Sequence, residues 1–188
     1  LRDLFAETSL SAAFVPVLTE QKGKSKEAEN LIASNIFNTL LVAAGIVSVI
    51  GIFLSPYLAR IIAPGFGKFP EKLSLTGHLT AIIFPFLLFV AIAAWAMSYL
   101  NTEGEFFIPS LAPAFFNVFS IATPLALFVY YTHRGGDPIY GAAIGVTVGG
   151  LIQFAIQLPS LFKKGYKYKL YLNFHDPAFK KVMILFIP

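Results

Sequence analysis

Residues 31–63 read LIASNIFNTLLVAAGIVSVIGIFLSPYLARIIA, and Arg60, near the end, is the one charged residue among them. At 1.5 Å of rise per residue, such a run forms about 50 Å of helix, enough to cross ~30 Å of hydrocarbon with tilt to spare. A barrel strand would instead be about ten residues of alternating polarity, and this run is continuously apolar. Inside lipid each backbone N–H and C=O must be paired within the segment, so the stretch is predicted as a transmembrane helix. Ala63-Pro64-Gly65-Phe66 ends it, because proline and glycine stop a helix.

The same pattern recurs toward the C-terminus. Uncharged runs over 73–100, which contains Pro85, and over 106–131 and 139–162 predict three more full spans. Polar turns at 67–72, 101–105 and 132–138 separate them. Residues 163–174 are basic and aromatic, with Tyr166, Tyr168, Leu170 and Leu172 alternating, which fits either a short hairpin or an interfacial segment. Asp176-Pro177 reads as the N-terminus of one more helix over 175–188. On the other side, 21–30 is a solvated loop and helix start, and 1–20 is the end of a helix. In that helix Asp3, Glu7 and Ser11 recur at four-residue spacing and share one face. Leu1-Arg2-Asp3-Leu4-Phe5 reads as mid-helix and 182–188 as a span cut short, so the expectation is a piece of a longer protein. The predicted fold class is all-α, a polytopic transmembrane helix bundle.

Composition agrees. Of 188 residues, 56% are hydrophobic and 13% charged, with mean hydropathy +0.71, whereas soluble domains carry about a quarter charged. The absence of cysteine excludes disulfides and thiolate metal sites. A net charge of +4 does not point to nucleic acid, because the lysines sit in short loops between apolar runs. Alternate loops fall into two sets. Lys22, Lys24, Lys26, Lys163, Lys164, Lys167, Lys169, Lys180 and Lys181 belong to one, and Arg60, Lys68, Lys72 and Arg134 to the other. The positive-inside rule places the richer set in the cytoplasm.

Several stretches, taken in order, resemble the bacterial lipid II flippase family (MurJ, formerly MviN). Phe5-Ala6-Glu7 with Ser11-Ala12-Ala13-Phe14-Val15-Pro16-Val17 resembles its second helix, and Ala63-Pro64-Gly65-Phe66 the end of its third. Asn101, Gly104, Phe106, Pro109, Leu111-Ala112-Pro113 and Asn117 resemble the turn joining helices four and five. Gly145-Val146, Gly149-Gly150, Gln153 and Gln157-Leu158-Pro159 resemble helix six, and Asn173-Phe174-His175-Asp176 the approach to helix seven. The resemblance implies part of the N-terminal lobe, from the end of helix two to the start of helix seven. The whole fold would be the two-lobe one of the multidrug/oligosaccharidyl-lipid/polysaccharide exporter superfamily. It further implies alternating-access transport of lipid II, the undecaprenyl-pyrophosphate-linked muropeptide, in the bacterial inner membrane. Membrane lipids and other cell-wall synthesis proteins are the further partners it suggests.

By that resemblance Arg2 corresponds to a cavity arginine needed for transport. A guanidinium suits a pyrophosphate because it donates paired, charge-assisted hydrogen bonds, and a charge at membrane depth usually faces a cavity. The plainer alternatives are a salt bridge with Asp3 or a snorkelling side chain. Family members often carry a second basic residue where Asp3 stands, and a glycine where Thr8 stands. Glu7 is either part of a gate or a carboxylate on the cavity wall. Asn117, Gln153 and Gln157 either line the cavity or hydrogen-bond between helices. Gly141, Gly145 and Gly149 form a close-packing face. Pro85, Pro109, Pro113 and Pro124 bend their helices, for motion or as static shape. The lysines and tyrosines of 163–171 anchor the interface or recruit anionic lipid. His78, His133 and His175 lack metal-ligand spacing, and no catalytic motif or cofactor fingerprint points to an enzyme. The functions to be separated are a lipid II flippase, another exporter of that superfamily carrying drugs or other lipid-linked sugars, and a non-transporting scaffold for cell-wall assembly.

Overall fold

The structure is a computed structural model that describes residues 8–186, with side chains from 11 to 185. Among the described residues eight α-helices follow one another: α1 (Thr8–Lys24), α2 (Lys26–Ile62), α3 (Pro70–Ile83), α4 (Pro85–Thr102), α5 (Phe107–His133), α6 (Ile139–Ala155), α7 (Leu158–Lys163) and α8 (Pro177–Phe186). A 3-10 turn, Pro64–Lys68, links α2 to α3. With α3–α4 and α6–α7 each taken as one broken helix, four helices among the described residues are long and apolar enough to cross a membrane. Arg2, Asp3 and Glu7 lie outside the described residues.

Local chemistry explains where the elements begin and break. Only Ser25 separates α1 from α2: its extended backbone turns the chain, and its Oγ accepts from Ala28 N at 3.0 Å. Of the solvated loop and helix start expected over 21–30, the helix start is α2 at Lys26, and the loop is reduced to one capping residue after the end of α1. Pro85 has no N–H to donate, so the expected 73–100 run breaks at Phe84. Side chains of neighbouring helices take up carbonyls at the break. Ser48 Oγ donates to Phe84 O at 3.1 Å and Thr147 Oγ1 to Ile82 O at 2.6 Å. Pro159 lies just beyond a second break that divides the expected 139–162 run into α6 and α7. Gly104, at φ 71°, makes the turn after α4, a conformation that disfavours a side chain.

Packing concentrates at one end. Phe14, Leu18, Ile32, Ile36, Trp95, Tyr99, Leu100 and Leu161 form a core shared by α1, α2, α4 and α7. Trp95 Nε1 donates to Ala33 O at 3.0 Å. α5 stands at the periphery, packed chiefly on α6, and exposes Val118, Ile121, Leu125, Phe128 and Val129. An apolar face of that kind suits lipid.

The α5–α6 seam is made by the glycines. A Cβ on Gly141 would lie 3.2 Å from Pro124 Cα, one on Gly145 2.8 Å from Ser120 O, and one on Gly149 2.9 Å from Phe116 O. Three glycines one turn apart thus let the α6 backbone rest on α5 at Pro124, Ser120 and Phe116 in turn.

Candidate functional site

The lysine-rich loops converge in space. Glu103, in the turn after α4, receives Lys26 Nζ at 2.8 Å on one oxygen and Lys22 Nζ at 3.1 Å on the other. Lys26 also lies 2.9 Å from the fully buried Glu29 and donates to Tyr99 OH at 3.1 Å. Lys22 reaches Thr102 O at 3.2 Å, and Lys164 reaches Glu103 O at 3.3 Å. The cluster ties α1, α2, α4 and the end of α7 into one unit. Burial alone would raise the Glu103 carboxyl, but hydrogen bonding with Glu29, Lys26 and Lys22 outweighs it and holds the group down at about 2. Glu103 therefore stays ionised throughout the physiological range.

Residues 165–173 complete this end. No strand pairing occurs there, which decides between the two alternatives above: the segment is an extended strap, not a hairpin. Its backbone groups are satisfied by α2 side chains. Asn30 Nδ2 donates to Gly165 O at 3.2 Å, and Ser34 Oγ accepts from Lys169 N at 3.0 Å. Asn38 Nδ2 donates to Lys169 O at 3.1 Å and Tyr171 O at 2.9 Å, while Asn35 pairs with both backbone groups of Asn173 at 2.9 Å. All four α2 residues are buried. Tyr166 lies among them beside Ser34, and burial pushes its phenol up to about 12 despite that hydroxyl, so it remains neutral. Exposed ion pairs, Lys169–Glu27 and Lys181–Glu20 (each 2.6 Å), hold the strap and α8 at the rim. Asp176 caps α8 by accepting from Ala178 N at 2.8 Å.

No sequence motif announces this network as a unit. Its signal was present, because Asn30, Ser34 and Asn38 recur every four residues in an otherwise apolar helix. What the sequence lacks is the partner, a strap more than a hundred residues away.

The expected site residues are dispersed. Ser11, at the described end of the α1 stripe, places its hydroxyl 2.7 Å from that of Ser98 on α4. Asn117 is exposed on α5. Gln153 and Gln157 are buried where α6 meets α4, and Gln157 Nε2 donates to Ala93 O at 3.2 Å and Gln153 O at 3.0 Å. Both glutamine Oε1 atoms are left without a partner. Among the described residues no group of acidic and histidine side chains could hold a metal.

Comparison with known proteins supplies the family. A family model described as "Lipid II flippase MurJ" matches residues 1–188. The chain is similar to a probable lipid II flippase MurJ of Vibrio cholerae, at 37% identity over all of this chain and 37% of that protein. It is similar also to one of Haemophilus influenzae, at 34% identity over all of the chain and 38% of that protein. A lipid II flippase MurJ of Burkholderia cenocepacia matches at 32% identity over the whole chain and 37% of its own length. The chain thus spans a little over a third of these relatives. With four apolar helices among its described residues, it is part of a multi-pass membrane protein.

Proposed function

The chain belongs to the lipid II flippase MurJ family, and we propose that it forms the N-terminal lobe portion of a protein that moves lipid II across the bacterial cytoplasmic membrane. The observation that carries this reading is the family match over every residue of the chain. The convergence of the 21–30, 101–105 and 163–181 segments at one end supports the proposed orientation, with that end in the cytoplasm.

In this reading the headgroup enters from the inner leaflet while its isoprenyl tail stays in the bilayer. Arg2 is the headgroup ligand: its planar fork matches pyrophosphate oxygens, and a low-dielectric cavity strengthens that contact. Asp3, Glu7 and Asn117 are proposed as cavity or gate groups, with Gln153 and Gln157 keeping the α4–α6 wall together behind them. The clustered end would let α1, α2 and α4 move as one body, which alternating access by rocking requires. Nothing in this mechanism needs a covalent step; the protein acts as a transporter.

The test uses the full-length protein in a strain depleted of its own lipid II flippase. Rescue of growth, with lipid II becoming accessible at the outer surface, is the expected result. Stable membrane expression without rescue, together with export of a drug or of another lipid-linked sugar, would move the assignment within the superfamily. Stable expression with no transport of any kind would favour the scaffold.

A further inference from the structure

At the end opposite the lysine cluster, a cavity of about 290 Å³ opens between the last turns of α2 and the first turns of α3. Arg60, Ser74 and His78 supply its polar wall; Pro56, Pro70, Leu73 and Gly77 line the rest. Gly77 shapes it, since a Cβ there would lie 3.4 Å from Pro56 Cα and α3 runs close against α2 at this point. Glu71 does not line the cavity; it belongs to a shallower depression beyond His78, where Tyr140 OH lies 3.5 Å from His78 Nδ1.

Arg60 is the informative group. It lines the cavity yet has no ion pair among the described residues, and its one described contact is the Tyr57 ring at 5.9 Å. Below it along α2 runs an exposed apolar strip of Phe53, Leu54 and Tyr57. A cation without a counter-charge, beside hydroxyl and imidazole donors and above an apolar strip at a membrane boundary, matches an amphiphile with an anionic head. A phosphate offers the guanidinium two oxygens in the geometry of its fork, and Ser74 and His78 are placed to donate to the others. A neutral sugar would leave the arginine unpaired, and free phosphate would leave the strip unused. We propose that this cavity seats the phosphate headgroup of an anionic phospholipid of the adjoining leaflet, with Arg60 as its anchor and the acyl chains along the α2 strip. The proposal does not depend on lipid II being the cargo.

Native mass spectrometry of the full-length protein titrated with phosphatidylglycerol tests it, with diacylglycerol as the phosphate-free probe. The wild type retains a tight phosphatidylglycerol adduct and no comparable diacylglycerol adduct. Arg60→Gln weakens that adduct roughly tenfold, the scale of a lost charge-assisted contact. Arg60→Lys, which keeps the charge without the fork, weakens it less. Arg134→Gln is the control, because Arg134 also stacks on a tyrosine (Tyr130, 5.5 Å) but lines no part of this cavity. Unchanged binding in Arg60→Gln would overturn the site. So would equal losses in the two arginine variants, which would reduce the effect to general surface charge.

Discussion

At the lysine-rich end, helices meet through ion pairs and amide hydrogen bonds, whereas along the α5–α6 seam two helices meet with almost no polar contact between them. Glu103 gathers lysines from two helices, and the α2 amides hold a strap that has no regular structure. The seam depends instead on what is missing, a Cβ at each of Gly141, Gly145 and Gly149. Position relative to lipid accounts for the difference. Unpaired polar groups are costly in hydrocarbon, so deep cohesion comes from close packing. Near the headgroups lysines remain solvated and can choose partners. Among the α2 amides that hold the strap, Asn38 reaches deepest, about 18 Å along the helix from Lys26, and both its amide nitrogen and its oxygen are bonded.

The comparison can be broken first at the seam. Gly145→Leu drives a branched side chain into Ser120 O and Pro124, and exceeds the ~1–3 kcal/mol typical of overpacking because backbone must move. Folded protein should vanish from detergent-solubilised membranes; recovery at wild-type level with unchanged thermal unfolding would mean the helices do not touch there.

At the other end, Glu103→Gln leaves Lys22 and Lys26 without their shared carboxylate and should cost about 2 kcal/mol, less than a fully buried pair because both lysines keep contact with water. Its pH dependence follows from the depressed carboxyl. The Glu103 contribution is complete above the ordinary 4.5 and is lost as pH falls toward about 2. Wild type should therefore lose stability over that window more steeply than Glu103→Gln. Parallel curves in acid titrations of thermal unfolding would remove Glu103 from the account.

A smaller effect is expected in the strap. Asn38→Leu strands the part-buried Lys169 and Tyr171 carbonyls and should cost about 1 kcal/mol. Hydrogen exchange should rise across 165–173 and stay unchanged along the seam. A uniform rise would mean that the strap is no separate unit.

How much of this could be read beforehand varies with the range of the interaction. The apolar runs and the four-residue glycine spacing are local patterns, visible without a partner. The place of the α3–α4 break follows from Pro85 alone, but the side chains that satisfy it, Ser48 and Thr147, come from distant helices. Residues 163–174 stayed ambiguous because alternating Tyr and Leu suits a hairpin equally well. Only the buried α2 amides make the strap the better solution for that backbone. Gln153 and Gln157 show the same limit, since a polar stripe on a transmembrane helix looks alike whether it faces a cavity or a neighbour.

If this bundle is scaffold for the transport site proposed at Arg2, holding and transport separate under mutation. The decisive measurement is growth of the flippase-depleted strain carrying Arg2→Ala in the full-length protein, with its membrane level quantified beside Arg2→Lys and Asp3→Ala. Loss of growth is expected with Arg2→Ala at normal protein level, partial function with Arg2→Lys, and a milder effect with Asp3→Ala. Wild-type growth with Arg2→Ala at normal level would contradict it, as would parallel loss of protein in Arg2→Ala and Asp3→Ala, which would make Arg2 a structural partner only.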